Sequence, residues 1–233
     1  MRHEKRIVKI GNTFLGGNNP ILVQSMLNVK SNDVRGNVRQ AVALEKEGCQ
    51  ILRVSIPTLE DVRLIENIKN EIKIPLVADI HFDYRIALRA IDAGIDKVRI
   101  NPGNIGSDER VKQVVEACKV KNIPIRIGVN AGSLEKHILA KYGAPTPEAL
   151  CESAMYQIRS LEKFDFNDIV VSIKSSNVQT MIESYRMLDS MCDYPLHLGV
   201  TEAGTYRMGL IKSGMGIGNL LLDGIGDTLR VSL

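Results

Sequence analysis

The chain has 233 residues, which exceeds the usual domain size of roughly 100–150 residues but suits a single α/β barrel of about 250. Its 44% hydrophobic and 24% charged residues exclude disordered, collagen-like and coiled-coil proteins. The net charge of +3 is too small to indicate a nucleic-acid or membrane partner. Aromatic residues make up only 4% of the chain, so Ile, Leu, Val and Ala must build the core, as in barrels and doubly wound sheets.

Short apolar runs alternate with longer amphipathic stretches along the whole chain. The predicted strands are residues 21–26, 51–56, 75–81, 97–102, 124–130, 168–174, 195–201 and 228–233. The predicted helices are residues 33–47, 59–72, 83–93, 107–121, 146–163, 178–191 and 205–222. Strict alternation of strand and helix implies a parallel sheet, and eight strands close into a barrel. The predicted fold is therefore α/β, a (β/α)8 TIM barrel, with no second domain within residues 1–233.

The two ends of the chain carry further predictions. Residues 7–10 and 13–15, joined by Gly11-Asn12, predict a short hairpin that plugs the bottom of the barrel. The sequence stops inside the eighth strand, without the helix that would complete the fold. We expect the chain to be a fragment of a longer protein, with an apolar face exposed on strands eight and one.

Four cysteines lie far apart in the sequence, at Cys49, Cys118, Cys151 and Cys192. They form no C-x-x-C or Cys/His cluster, so we expect neither a metal site nor a disulfide framework within this chain. The longest uncharged stretch, residues 213–222, is too short to cross a bilayer, and the N-terminus lacks an apolar signal region. These features predict a cytoplasmic protein.

Cationic side chains recur on the face of the strands that points into the barrel. Successive strand residues point to opposite sides, and the inward set includes Arg53, Arg99, Arg126, Lys174 and Arg230. The nearest carboxylates are Asp79 and, beyond strand seven, Glu202. Burying an unpaired charge costs several kcal/mol, and guanidinium groups suit phosphate. An ion network with Asp79, Asp83 or Glu202 would explain one arginine; five cations favour a small polyanionic ligand at the mouth.

Other residues near the mouth have less specific patterns. His81 and His197 share the inward direction with Asp79, which gives them a possible role beside a phosphate site. Glu202 could act as a general acid or base, or it could cap the following helix. Both readings of Glu202 stay open at this point.

Three loop-like segments also bear on the site. Residues 102–106 could present backbone amides to a phosphate, although such glycines often only make turns. Gly214, Gly216 and Gly218 resemble a phosphate loop but fall inside a predicted helix, which favours close helix packing. Residues 131–145 form a connection longer than usual and are a candidate lid.

Several stretches resemble the signature motifs of a known enzyme family, 4-hydroxy-3-methylbut-2-enyl diphosphate synthase. They are LVADIHFDYR at 76–85, RINPGNIG at 99–106, IRIGVNAGSLEK at 125–136, GIGDTLRVSL at 224–233, VQSM at 23–26 and HLGVTEAG at 197–204. This resemblance runs through essentially the whole chain. It implies reductive opening of 2-C-methyl-D-erythritol 2,4-cyclodiphosphate in the non-mevalonate isoprenoid pathway.

The resemblance also implies roles for individual residues. It implies catalytic roles for Glu202, Asp79 and His81. The substrate-binding residues that it implies are Arg53, Arg99, Asn101, Arg126, Asn130, Lys174 and Ser232, and the inward direction adds His197 and Arg230 to the predicted set. No residue of this chain is implied as a metal ligand.

The family further implies a [4Fe-4S] cluster, held by three cysteines and a glutamate in a C-terminal domain that this chain lacks. Its electrons come from flavodoxin or ferredoxin, and the full-length enzyme is a homodimer. We therefore expect this chain to bind substrate without turning it over. Two alternatives remain open, namely a barrel transferase of the dihydropteroate synthase type and a non-catalytic anion-binding module.

Overall fold

The computed structural model describes residues 2–232. An antiparallel hairpin, β1 (Val8–Ile10) and β2 (Thr13–Leu15), precedes eight parallel strands. The parallel strands are β3 (Leu22–Met26), β4 (Ile51–Ser55), β5 (Leu76–Asp79), β6 (Lys97–Ile100), β7 (Ile125–Asn130), β8 (Ile169–Lys174), β9 (His197–Leu198) and β10 (Thr228–Leu229). The predicted (β/α)8 barrel and its N-terminal hairpin are confirmed.

The sheet is nearly closed. Neighbouring strands follow the order β8-β7-β6-β5-β4-β3-β10-β9. The remaining gap, between β8 and the segment before β9, is bridged by the parallel pair Val171 and Leu196, with the Val171 amide donating to the Pro195 carbonyl at 2.9 Å. The C-terminal ends of all eight strands therefore meet at one mouth.

Helices connect successive strands and cover the barrel. They are α1 (Val34–Lys46), α2 (Arg63–Lys69), α3 (Tyr84–Asp92), α4 (Pro102–Ile105), α5 (Asp108–Lys121), α6 (Lys136–Tyr142), α7 (Pro147–Glu162), α8 (Val178–Met191) and α9 (Tyr206–Leu222). Asp33 and Thr146 cap α1 and α7 by accepting backbone N–H groups, as their sequence positions predict. Gly48 and Gly94 take positive φ just after α1 and α3, where the chain leaves each helix.

The main apolar core lies between the strands and the helices. Outward-facing strand residues such as Leu52, Val98 and Ile127 are fully buried there. This confirms the predicted division of each strand into an outer apolar face and an inner face. No helix among residues 2–232 is both long enough and apolar enough to cross a membrane.

The bottom of the barrel interior is apolar, so the cationic inward face predicted from the sequence does not extend along the whole barrel. Inward residues Leu22, Ile51, Val77 and Val170 are buried together with three hairpin side chains, Val8, Ile10 and Leu15. The predicted plug is therefore real. Polar inward residues occupy only the levels above it, towards the mouth.

Several element boundaries differ from the sequence prediction. Strand β5 ends at Asp79, so His81 lies beyond it, and β10 covers only Thr228–Leu229; Leu233 lies outside the described residues. The predicted helix over 59–72 is a 3-10 turn, Glu60–Val62, followed by α2. Local turns end these elements earlier than the hydrophobic periodicity of the sequence predicts.

One side of the barrel exposes apolar residues, as expected for the outer face of strands eight and one. Val23 and Val231, on the outer face next to the first and eighth barrel strands, are 44% and 40% exposed. On α9 the side chains of Ile211, Met215 and Leu222 are also exposed. Met215 lines the groove between α8 and α9, so it lies apart from the open outer face at Val23 and Val231.

The α9 glycines differ in their surroundings, which gives a matched pair of variants. A Cβ on Gly216 would meet Met181 Sδ at 2.9 Å and Val200 Cγ2 at 3.2 Å, whereas a Cβ on Gly214 meets nothing within 4 Å. We expect Gly216→Ala to lower stability by about 1–3 kcal/mol through overpacking. Gly214→Ala should raise it by up to about 1 kcal/mol through helix propensity. Thermal unfolding that ranks both variants equally would contradict the packing role of Gly216.

Candidate anion-binding site

A cavity of about 210 Å³ opens at the C-terminal mouth of the barrel. Its lining residues are Arg53, Arg99, Arg126, Asn130, Ser172, Lys174, Thr201, Arg230 and Ser232. Seven of the nine are predicted substrate-binding residues. The other two, Ser172 and Thr201, also point inward by the alternation of strand residues. The sequence does not mark them as site residues, because Ser and Thr hydroxyls are common on strands.

Asp79 holds two of the cations in place. Its buried carboxylate accepts hydrogen bonds from the guanidinium groups of Arg53 and Arg99, the second at 3.1 Å, and His81 Nε2 lies 3.4 Å away. Burial alone would raise the pKa of Asp79, but the His81 hydrogen bond and the charges of Arg53 and Arg99 lower that pKa well below its usual value. Asp79 is therefore ionised and clamps both arginines.

The other cations of the cavity have no carboxylate partner. Among the described residues, Arg126, Lys174 and Arg230 form no salt bridge, and Arg126 Nε and Nη1 are buried without a hydrogen bond. Asp83 pairs instead with Arg85 outside the cavity, at 2.7 Å. The alternative of a self-contained ion network therefore accounts only for Arg53 and Arg99.

The crowding of like charges is visible in the pKa values. Burial, followed by the charges of Arg53 and Arg99, lowers the pKa of Arg126. Burial and Arg53 lower the pKa of Arg230 to about 10. Guanidinium groups do not lose their protons in proteins near neutral pH, so these shifts express an unfavourable concentration of positive charge. An anion in the cavity would relieve it.

A second polar level lies beneath the cavity. The inward side chains of Gln24, Lys97 and His197 are 0–2% exposed, and their polar atoms have no hydrogen-bond partner in the described chain. None of them lines the cavity, so His197, a predicted substrate-binding residue, lies below it. Lys97 was not predicted as a site residue, although its side chain points inward like those of Arg99 and Asn101.

Lys97 is expected to reduce the stability of the empty barrel. Burial, then the charges of Arg126 and Arg53, lowers the pKa of Lys97 well below its usual value, and the amine has no partner. Lys97→Met should therefore raise the free energy of unfolding by about 1–3 kcal/mol. Because the folded-state pKa is depressed, the wild-type protein should gain stability as pH rises towards about 10.4, and the variant should gain less. Lower stability of the variant at neutral pH in urea unfolding would refute this.

Predicted residues at the rim take different positions. The Asn101 side chain accepts the Gly103 amide at 2.9 Å and caps α4, so it shapes the 102–106 turn and does not line the cavity. Glu202 is exposed beside Thr201 and has a φ of +49°. The next helix, α9, is capped by Thr205 and not by Glu202, so the capping interpretation of Glu202 is wrong. A non-glycine residue in this backbone region marks a constrained rim position.

The candidate lid, residues 131–145, is structured and anchored. It contains a 3-10 turn, Ala131–Ser133, and helix α6. Glu135 accepts hydrogen bonds from Ser153 Oγ at 2.6 Å and Gln157 Nε2 at 3.0 Å, both on α7. These bonds fix the segment against the barrel and with it the position of Asn130 on the cavity wall.

Gly199 makes room for the cations. A Cβ at this position would lie 2.7 Å from the Arg230 carbonyl oxygen and 3.0 Å from Lys174 Nζ. The Gly199 backbone therefore lies close to the Arg230 backbone and to the Lys174 side chain, which only glycine permits.

The cysteines present do not suit an iron-sulfur cluster. Cys49, Cys118 and Cys151 are buried, Cys192 is half-buried, and all four are free thiols. Across residues 2–232, no three His, Cys, Asp or Glu side chains are grouped so as to hold a metal ion. A cluster would need ligands from outside the described residues.

Comparisons with known proteins agree with this geometry. The model of the GcpE TIM-barrel domain family matches residues 5–233. The 4-hydroxy-3-methylbut-2-en-1-yl diphosphate synthase (flavodoxin) of Fusobacterium nucleatum is 64% identical over 233 residues, and that of Caldanaerobacter subterraneus is 60% identical. In both matches all of this chain aligns, and it spans 66% of the relative's length.

Solved structures show the same architecture at low identity. Dihydropteroate synthase from Stenotrophomonas maltophilia has a TM-score of 0.70 at 13% identity, covering 96% of this chain and 91% of that one. The Yersinia pestis enzyme has a TM-score of 0.64 at 11% identity, covering 96% and 90%. These likenesses concern the fold. The family match and the identity to its relatives show that this chain belongs to the GcpE TIM-barrel domain family.

Proposed function

We propose that the barrel binds 2-C-methyl-D-erythritol 2,4-cyclodiphosphate and forms the substrate-binding part of a 4-hydroxy-3-methylbut-2-enyl diphosphate synthase. The observation that carries the proposal is the set of three cavity cations, Arg126, Lys174 and Arg230, that have no carboxylate partner among residues 2–232. A compact ligand with two adjacent phosphates supplies the missing negative charge. The names of the highly identical relatives support this substrate over other diphosphates.

In this proposal the residues of the chain bind and orient the substrate. Arg126, Lys174 and Arg230 contact the phosphates, and the ionised Asp79 keeps Arg53 and Arg99 pointed at them. The overall conversion consumes two electrons and two protons and releases one water. Glu202, at the rim beside Thr201, is the proposed site of proton exchange with the sugar-derived carbons, and His81 beside Asp79 is a second candidate.

We further propose that electrons reach the substrate from outside this chain. The relatives' names point to flavodoxin as the donor, and a [4Fe-4S] cluster would be held by ligands outside residues 2–232. A homodimer of the full-length protein is part of the same proposal. The free state of all four cysteines is compatible with a reducing cytoplasm.

Titration calorimetry tests the proposed substrate. The purified protein should bind the cyclodiphosphate at one site, and it should bind dihydropterin diphosphate far more weakly, although its fold resembles dihydropteroate synthase. Salt should weaken the interaction because it is electrostatic. Tighter binding of the pterin diphosphate would favour the transferase alternative, and absence of binding to both would contradict the proposal.

A further inference from the structure

Lys174 is the lysine among the cations that line the cavity. It ends strand β8, is 5% exposed, and forms no hydrogen bond or salt bridge to any described residue. Its amine lies beside Gly199, at the point where the Gly199 backbone comes close to the Arg230 carbonyl oxygen. Lys174 is therefore held in a narrow position on the cavity wall.

The groups facing Lys174 are almost all positive. The charges that act on Lys174 are those of Arg53, Arg99, Arg126 and Arg230, with His197 also close to it. Asp79 and Lys97 act on these arginines, and His81 and Glu202 lie farther out at the rim. Asp79 is committed to Arg53 and Arg99. No anionic group of the described chain offsets the charge of a protonated Lys174.

Arginine and lysine respond differently to such crowding. A guanidinium keeps its proton, whereas a buried ammonium readily gives its proton to solvent. Burial, reinforced by Arg126, Arg230, Arg53 and Arg99, lowers the pKa of Lys174 well below its usual value. In the empty cavity, loss of this proton is the available way to reduce the positive charge.

We propose that Lys174 is an uncharged amine in the empty cavity and takes up a proton from solvent when a phosphate-bearing anion enters. The amine becomes an ammonium ion that pairs with the phosphate, and no other bond changes. Lys97 is not the acceptor because it lies below the cavity and does not line it. This inference rests on the proposed function for the identity of the anion, but it concerns the site's response to any dianion.

Calorimetry in buffers of different ionisation enthalpy measures the proton directly. Binding of the cyclodiphosphate slightly above neutral pH should take up about one proton per ligand, and the affinity should fall roughly tenfold per pH unit as pH rises. The sign follows from a pKa that is higher in the complex than in the empty protein. A heat of binding that is independent of buffer, together with a flat pH profile, would overturn the inference.

Two variants locate the proton. Lys174→Arg keeps a fixed positive charge, so it should abolish proton uptake and flatten the pH profile. Lys97→Met should leave the uptake unchanged, as should Lys46→Met at an exposed position on α1. Persistent uptake in Lys174→Arg, or its loss in Lys97→Met, would contradict the assignment. If Lys174→Arg does not fold, Lys174→Met serves in its place, because it also removes the amine and should abolish the proton uptake.

A second anion separates this inference from the proposed function. Sulfate stays doubly charged across the pH range, and its binding can be followed through the rise in unfolding temperature. Proton-coupled binding of sulfate without binding of the cyclodiphosphate would support the inference and contradict the proposed substrate. Binding of the cyclodiphosphate without proton uptake would support the proposed substrate and contradict the inference about Lys174. Failure of both anions to bind would contradict both proposals.

Discussion

Replacing Arg126 with Met is expected to weaken binding of the cyclodiphosphate by roughly 30-fold to more than 1,000-fold. Removing one partner of a buried, hydrogen-bonded charge pair costs about 2–5 kcal/mol, and each 1.4 kcal/mol is a factor of about ten. Arg126 is 2% exposed, and its Nε and Nη1 atoms have no partner in the described chain. Titration calorimetry gives the two dissociation constants.

The same variant should not lose stability, which separates a binding role from a structural one. In the ligand-free protein Arg126 is a buried charge that forms no salt bridge with any described residue, so its replacement by an apolar side chain should leave the unfolding temperature unchanged or raise it. Arg39→Met, at an exposed position on α1, is the matched control and should alter neither property. Arg126→Met that binds as tightly as the wild type would remove Arg126 from the site.

Asp79→Asn should lower the free energy of unfolding by about 3–5 kcal/mol, the cost of breaking a buried ion pair by removing one partner. The change leaves Arg53 and Arg99 without their common carboxylate. Because the two arginines also line the cavity, anion binding should weaken as well. Urea unfolding at neutral pH measures the first effect, and calorimetry the second.

Acid titration gives an independent signature of Asp79. Its folded-state pKa is depressed, so its stabilisation is complete above the unfolded-state pKa of about 3.9 and is lost as pH falls through the folded-state pKa. Wild-type stability should therefore decline below about pH 4 more steeply than that of Asp79→Asn. The control Asp83→Asn removes the charge of the pair with Arg85 near the surface and keeps a side-chain oxygen that can cap α3, so it should cost at most about 1 kcal/mol. Parallel acid profiles of wild type and Asp79→Asn would contradict the clamp.

Inward direction could be predicted from the sequence because side chains alternate along a strand. The rule places Arg53, Arg126 and Lys174 on the interior wall, and the structure brings them to one cavity. The rule alone does not give height along the barrel axis. For that reason His197 was predicted to bind substrate although it lies beneath the cavity, and Lys97 on the same level was missed.

Other differences arise from contacts that the sequence pattern does not encode. Hydrogen bonds from α7 to Glu135 fix the segment that its length alone suggested as a lid. The cap of α9 is Thr205, which stands at the predicted start of the helix and is a preferred N-cap residue type, so the sequence already favoured it over Glu202. The hairpin packs against Ile51 and Val77 and makes the barrel floor apolar. This packing brings together residues that are distant in the chain, so the local sequence pattern does not predict these contacts.

The cations at the barrel mouth that have no carboxylate partner in the described chain are proposed to bind the two phosphates of the cyclodiphosphate. A crystal structure of the protein with this ligand would show whether they do. We predict phosphate oxygens within hydrogen-bond distance of Arg126, Lys174 and Arg230, inside the cavity of about 210 Å³. Ligand found instead in the larger groove of about 740 Å³ between α8 and α9, with the mouth cavity empty, would contradict the claim.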